Sequence, residues 1–182
     1  MKKILPVILL LLIIFVCFGV YEQANKSVKI KRLECQSKTT TFEKIFVEEP
    51  VLEAINLLRN NNYTIDSSIK YSKFMKSYLI NILTKEQTDE SLKKVINKYI
   101  NDVDNQIAND KKLLIDYYIY ENDKEDNGKK NKDAKQYAGY LMFEFKYDNK
   151  LVYKIQTDYM NINGSDIEDR MDCAINSFIA ID

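Results

Sequence analysis

Apolar and polar positions alternate along this chain with two periods. An unbroken apolar run, Ile4 to Val20, follows Met1-Lys2-Lys3 and is interrupted only by Pro6 and Gly19. Val28, Ile30, Leu33 and Cys35 then alternate as a strand near 27–36. A helix is expected to start at Pro50, carrying Val51, Leu52, Ile55, Leu57 and Leu58, and to end at Asn60-Asn61-Asn62. Tyr63-Thr64-Ile65 reads as a short strand. Tyr71, Phe74, Met75, Tyr78, Leu79, Ile82 and Leu83 recur at helical spacing. The longest single stripe is Leu92, Val95, Ile96, Tyr99, Ile100, Val103 and Ile107, a helix over 88–110. The period then shortens to two. Leu113, Ile115, Tyr117 and Ile119 form one strand, and Leu141, Phe143, Phe145 and Tyr147 the next. Across the Asp148-Asn149 turn follows a partner with Leu151, Tyr153 and Ile155 on one face. Ser165-Asp166-Ile167-Glu168 has the form of a capping box, opening a helix with Ile167, Met171, Ala174, Ile175 and Phe178 on its buried side.

This order predicts an α+β fold. A mostly antiparallel sheet of three to five strands carries helices on one face and is preceded by one N-terminal hydrophobic helix. Residues 1–21 read as a signal anchor or signal peptide. Residues 22–182 read as a single soluble extracytoplasmic domain, with 121–135 as a solvated loop, because Glu121 to Asp133 contain no apolar side chain.

Three readings of the leading segment stay open. The run 4–20 is long for a signal-peptide core and short for a bilayer span, so it serves either as an anchor in the inner membrane or as a cleaved export signal. In the third reading Cys17 is acylated, although Val16 stands where a lipobox carries a small residue. The two-lysine start favours export, which places the domain in a periplasm. Lys26, Lys29, Lys31 and Arg32 pull the other way.

Composition narrows the chemistry. The 182 residues include 27 basic and 27 acidic side chains and no histidine. Residues 1–21 hold Lys2, Lys3 and no acid, so the remainder has 25 basic against 27 acidic groups. That balance argues against nucleic acid as a partner. Without histidine, neither a Ser-His-Asp nor a Cys-His nucleophile can be assembled, nor a histidine-ligated metal site. No cofactor is indicated.

Several residue groups are candidates for a site. Cys35 and Cys173 are either a structural disulfide, favoured by an oxidising compartment, or two free thiols. On a helical wheel Cys173 falls beside Asp169 and Ser177, on the flank of its helix. Asp123, Glu125, Asn127 and Gly128 match positions of a calcium loop, but Ala134 stands where the bidentate glutamate belongs. Asp158, Asn161, Asn163, Asp166, Glu168 and Asp169 cluster before the last helix, where acids suit a helix N-terminus better than catalysis. Eight of the 13 tyrosines lie between Tyr117 and Tyr159. Among them Tyr118, Tyr120 and Tyr140 fall on the strand face opposite the core positions and form a candidate binding surface.

Four segments resemble the N-terminal domain of TolB and related outer-membrane assembly factors. They are Val51 to Leu58 running into Asn62-Tyr63-Thr64-Ile65, Leu113 to Tyr117, the hairpin Leu141 to Gln156, and Ala174 to Phe178. The chain departs from that pattern in Asn62, where glycine is usual, and in the long insertion 72–111. The resemblance implies a non-catalytic domain that docks on another envelope component, and it brings no catalytic residues. The expected function is therefore protein–protein contact by a membrane-tethered or secreted periplasmic protein. The alternative is a carrier of a small molecule or lipid, bound between the tyrosine-bearing sheet and the helix 88–110.

Overall fold

A computed structural model describes residues 12–19, 32–100, 111–128 and 136–181. Its elements run β1 (Thr40–Ile45), α1 (Glu48–Arg59), β2 (Tyr63–Lys70), α2 (Lys85–Asn97), β3 (Leu113–Glu121), β4 (Gly139–Tyr147), β5 (Lys150–Tyr159) and α3 (Ile167–Ile179). Short 3-10 turns occupy Glu34–Gln36 and Leu79–Asn81. The strands form one mixed sheet in the order β1-β5-β4-β3-β2. Only β2 and β3 run parallel, joined through α2 as a parallel pair requires. The fold is α+β and its sheet is mostly antiparallel, as the pattern predicts.

Alternation decides which face each side chain takes. Ile115, Tyr117 and Ile119 of β3, Leu141, Phe143 and Phe145 of β4, and Tyr153 and Ile155 of β5 are fully buried. They join Ala54, Ile55 and Leu58 of α1, Leu92, Val95 and Ile96 of α2, and Met171, Ile175 and Phe178 of α3 in one core. The Phe145 and Phe178 rings stack at 4.0 Å between centroids. The helices therefore lie on one face. Asp148 and Asn149 both take positive φ, 51° and 60°, as a two-residue hairpin turn demands.

Several elements differ from their expected form. The strand expected near 27–36 lies further on, at Thr40–Ile45, and 27–31 fall outside the described residues. Over 33–36 the buried Gln36 side chain accepts the Leu33 amide at 2.7 Å and donates to Glu43 at 2.9 Å, closing a turn in place of a strand. α1 starts two residues before Pro50, which takes the third helical position, where its missing N–H is still no loss. β2 extends five residues past Ile65.

The span 71–83 is not a helix. Its amides turn to two carboxylates of the β3 end instead of to their own carbonyls. α2 begins earlier than expected, because Thr84 and Gln87 form a reciprocal capping box. It stops at Asn97, and Val103 and Ile107 lie outside the described residues. At the other end of the chain the Ser165–Glu168 box does not form. Asp166 is the N-cap, and the Ser165 hydroxyl accepts from Asn161. A bulge between Phe145 and Lys146 pairs Leu151 with Lys146, which moves Leu151 off the core face and puts Val152 inside.

At the N-terminus, residues 12–19 are helical and their side chains are exposed. Among the described residues no helix is long and apolar enough to cross a membrane.

Candidate functional site

The face of the sheet opposite the helices is built by the same alternation. Register places Tyr118 beside Met142, Tyr120 beside Tyr140, and Tyr140 beside Asp158. The three tyrosines singled out from the sequence thus converge. Tyr120 and Tyr140 stack at 4.9 Å between centroids, and Tyr118 meets Tyr140 edge-on at 5.9 Å. Lys70 reaches across from β2 and holds its Nζ 3.7 Å from the centroid of Tyr118, a close cation–π contact. A second bulge, between Thr40 and Phe42, pairs Phe42 with Gln156 and turns its ring to the same face. Phe42 is 39% exposed. The result is an aromatic strip on β3 and β4, edged by Lys70 of β2, with Phe42 of β1 on the same face beyond Gln156 and Asp158 of β5.

Toward the other end the same face is charged. The Lys146 ammonium lies 2.6 Å from Asp116 and 3.0 Å from Glu144, while Lys154 lies 2.7 Å from Glu144. Hydrogen bonds from Lys154, and after them Lys146, hold the Glu144 carboxyl below its ordinary range. The Asp116 contact in turn raises the Lys146 ammonium. These side chains satisfy one another, leaving the aromatic strip as the less compensated part of the surface.

Two groups in the strip are electrostatically perturbed. Burial raises the Asp158 carboxyl above the usual carboxylate range, opposed by hydrogen bonds from Gln156 and Thr41. Burial also pushes the Tyr140 phenol up, helped by its hydrogen bond with Tyr118 and by the nearby charges of Tyr120 and Asp158. Tyr140 consequently stays a neutral phenol at physiological pH. It offers a donor and an aromatic face rather than a base.

The other candidates fall elsewhere. Cys35 and Cys173 lie at disulfide distance, with sulfurs 2.15 Å apart and Cα atoms 5.9 Å apart. Cys173 is 2% exposed, so the flank of α3 on which the wheel places it is covered. The cover is the turn Glu34–Gln36 that carries its partner, an effect no single-helix projection contains. Cys17 is a free, exposed thiol. The charged loop is not wholly solvated, because Glu121, Asn122 and Asp123 are buried and 129–135 lie outside the described residues. The Asp123 carboxylate accepts the Lys73, Phe74 and Met75 amides at 2.6–3.1 Å, so it is not free to open a calcium loop. Among the described residues no group of three acidic or cysteine side chains is placed to hold a metal ion.

The acidic cluster before α3 also disperses. Asp158 sits on the sheet, while Asp166 is buried and accepts the Met160 and Asn161 amides. Glu168 and Asp169 are exposed at the start of the helix.

Sequence reasoning missed a polar knot on the core side. Asp89 Oδ1 accepts from Ser67 Oγ at 2.6 Å and from Tyr117 OH at 2.8 Å, and Lys85 approaches Oδ2 at 3.2 Å. Asp89 and Ser67 are 22 residues apart, so only the parallel crossover brings them together. It ties α2 to the sheet. The volume between α2 and the sheet is filled by Leu92, Val95, Ile96, Ile115 and Tyr117, and the three tyrosines point away from it. Among the described residues, these side chains leave no space for a ligand between α2 and the sheet. An open cleft of about 730 Å³ instead adjoins Tyr120, between Lys70 to Phe74 and Asp123.

No protein family matches the chain, and neither a curated protein nor a solved structure does.

Proposed function

We propose that this chain is a non-catalytic envelope protein, held at the inner membrane by residues 4–20 or released to the periplasm, that binds another envelope protein through the open face of its sheet. The observation that supports the reading is the aromatic strip of Tyr118, Tyr120, Tyr140 and Phe42 with Lys70 at its edge. Tyrosine combines a large apolar area with a hydroxyl and loses little side-chain entropy on docking, which is why it dominates interface cores. The neighbouring ion-pair ladder supplies a polar rim. The likeness to TolB-type N-terminal domains belongs to the same proposal.

A photoreactive benzoylphenylalanine in place of Tyr140 tests it in intact cells. A discrete adduct of protein size is expected there, and none from the same group in place of Lys93 on the exposed side of α2. Identical patterns at both positions, or no adduct at position 140, would overturn the reading. The cleft beside Tyr120 supports a second reading, a small-molecule carrier, for which position 140 would yield only a small added mass.

A further inference from the structure

We infer that the domain lays one end of its sheet on a lipid bilayer. The inference rests on the reading of residues 4–20 as membrane-associated. Lys70, Glu121, Tyr159 and the first residues of β4 and β1 share one end, as the pairs Lys70–Tyr120, Glu121–Gly139, Gly139–Tyr159 and Thr40–Thr157 show. The chain arriving from the apolar segment enters at that same end, through Arg32 and the turn Glu34–Gln36. Residues 20–31 intervene, and at about 3.5 Å each they reach at most ~40 Å. The hairpin Asp148–Asn149 is at the opposite end, roughly 30 Å away for strands of this length. Bringing the hairpin end to the bilayer would need residues 20–31 almost fully extended, so the point of attachment favours the entry end.

That end is apolar where loops normally are not. Phe74, Tyr78, Ile80 and Ile82 from one loop and Met160 and Ile162 from another are about half exposed or more, with Phe74 at 66%. The two loops adjoin, since Tyr78 and Ile162 line one cleft. Met160 shares another cleft with Cys35 and Lys38, beside the point of chain entry. Lys73 and Lys76 are exposed among the apolar side chains, the mixture that suits the headgroup boundary, where lysine stems lie in the apolar layer and their ammonium groups meet phosphate.

The backbone supplies the second observation. A loop entering the lipid boundary must satisfy its own amides. Here the Glu121 and Asp123 carboxylates collect the amides of Ser72, Lys73, Phe74, Met75, Tyr78 and Leu79 from the protein side. The peptide dipoles face inward and the apolar side chains outward. The loop thus meets the requirement that contact with the lipid boundary sets for its backbone.

The chain has no tryptophan, so single tryptophans report position without background. The full chain is reconstituted with Phe74→Trp, Ile162→Trp or Lys150→Trp in vesicles of phosphatidylethanolamine and phosphatidylglycerol carrying brominated acyl chains. Flotation is measured beside fluorescence. Bromine quenching is expected to be roughly threefold or more stronger at positions 74 and 162 than at 150, and to fall to the level of 150 when Ile80→Glu and Ile82→Glu accompany the probe at 162. Floating protein with equal quenching at all three positions overturns the bilayer docking and leaves the tether standing. Protein that does not float overturns both.

Discussion

At Gly139 a β-carbon would lie 2.0 Å from the Tyr120 carbonyl oxygen and 2.4 Å from the Tyr159 hydroxyl. Neither neighbour can retreat, because one is strand backbone and the other a fully buried ring. Gly139→Ala is expected to destabilise the fold by roughly 2–4 kcal/mol, read as a fall of about 5–15 °C in the thermal midpoint. An unchanged midpoint would mean the strands part at no cost. The buried carboxylates of the β3 end make a second case. Burial pushes Glu121 up, yet hydrogen bonds from Ser72, Ser77, Tyr78 and Leu79 outweigh it and hold the carboxyl below its ordinary range. Asp123 is held down likewise, burial being outweighed by the amides of Phe74, Lys73 and Met75. For an acid whose folded pKa is depressed, the stabilisation is complete above the unfolded value and drains as pH falls through the folded one. Stability should therefore drop below about pH 4. Glu121→Gln, which keeps the shape and loses an acceptor, should cost about 1–3 kcal/mol at neutral pH and flatten that acid limb. Denaturant titrations of both proteins between neutral and acid pH check it, and parallel curves would show that Glu121 carries none of the dependence.

Among elements, the Cys35–Cys173 bond joins the turn at the chain entry to α3 across 138 residues. In the chain-entropy view a loop of that length is worth about 4–5 kcal/mol. Reduction, or Cys35→Ser with Cys173→Ser, should lower the thermal midpoint by roughly 10 °C or more while leaving the far-ultraviolet spectrum intact below it. A midpoint within a degree or two of the oxidised protein would show that the packing of Gln36 and Glu43 already fixes the turn. Legibility at this scale followed locality. The strands from Leu113 onward, the Asp148-Asn149 turn and the stop at Asn60–Asn62 were readable, because period and turn chemistry are properties of neighbours in sequence. Phe74, Met75, Tyr78 and Leu79 were misleading. Their helical spacing is real, but the groups that claim their amides lie more than 40 residues away. The burial of Cys173 and the inward turn of Val152 failed to show for the same reason, one set by a remote turn and the other by a bulge. The aromatic strip was half legible. Tyr118, Tyr120 and Tyr140 follow from alternation, whereas Phe42 and Lys70 join only through strand order.

For the whole molecule, two sheet faces of opposite character divide the work. The helix face buries rings and the open face presents them, while the entry end carries two adjoining loops with exposed apolar side chains. So much of the interior is tyrosine that the core itself is titratable. Burial pushes the Tyr153 phenol well above its ordinary value, with the charge of Glu43 adding to it. Tyr117 and Tyr159 are raised chiefly by burial as well. An unfolded tyrosine ionises near pH 10. A folded-state pKa above that value contributes stability that is intact below about pH 10 and is lost as pH rises beyond it, at about 1.4 kcal/mol per pH unit for each such residue. The three phenols together should give a steep, cooperative alkaline unfolding in which the buried rings ionise only as the sheet opens. Absorbance of phenolate and far-ultraviolet circular dichroism, followed on one sample from pH 9 upward, should therefore show two phases. Exposed tyrosines titrate first with no change in dichroism, and the remainder appear in step with its loss. Complete ionisation of all 13 tyrosines before any loss of secondary structure would mean that water reaches these rings in the folded protein, and that the core lies elsewhere.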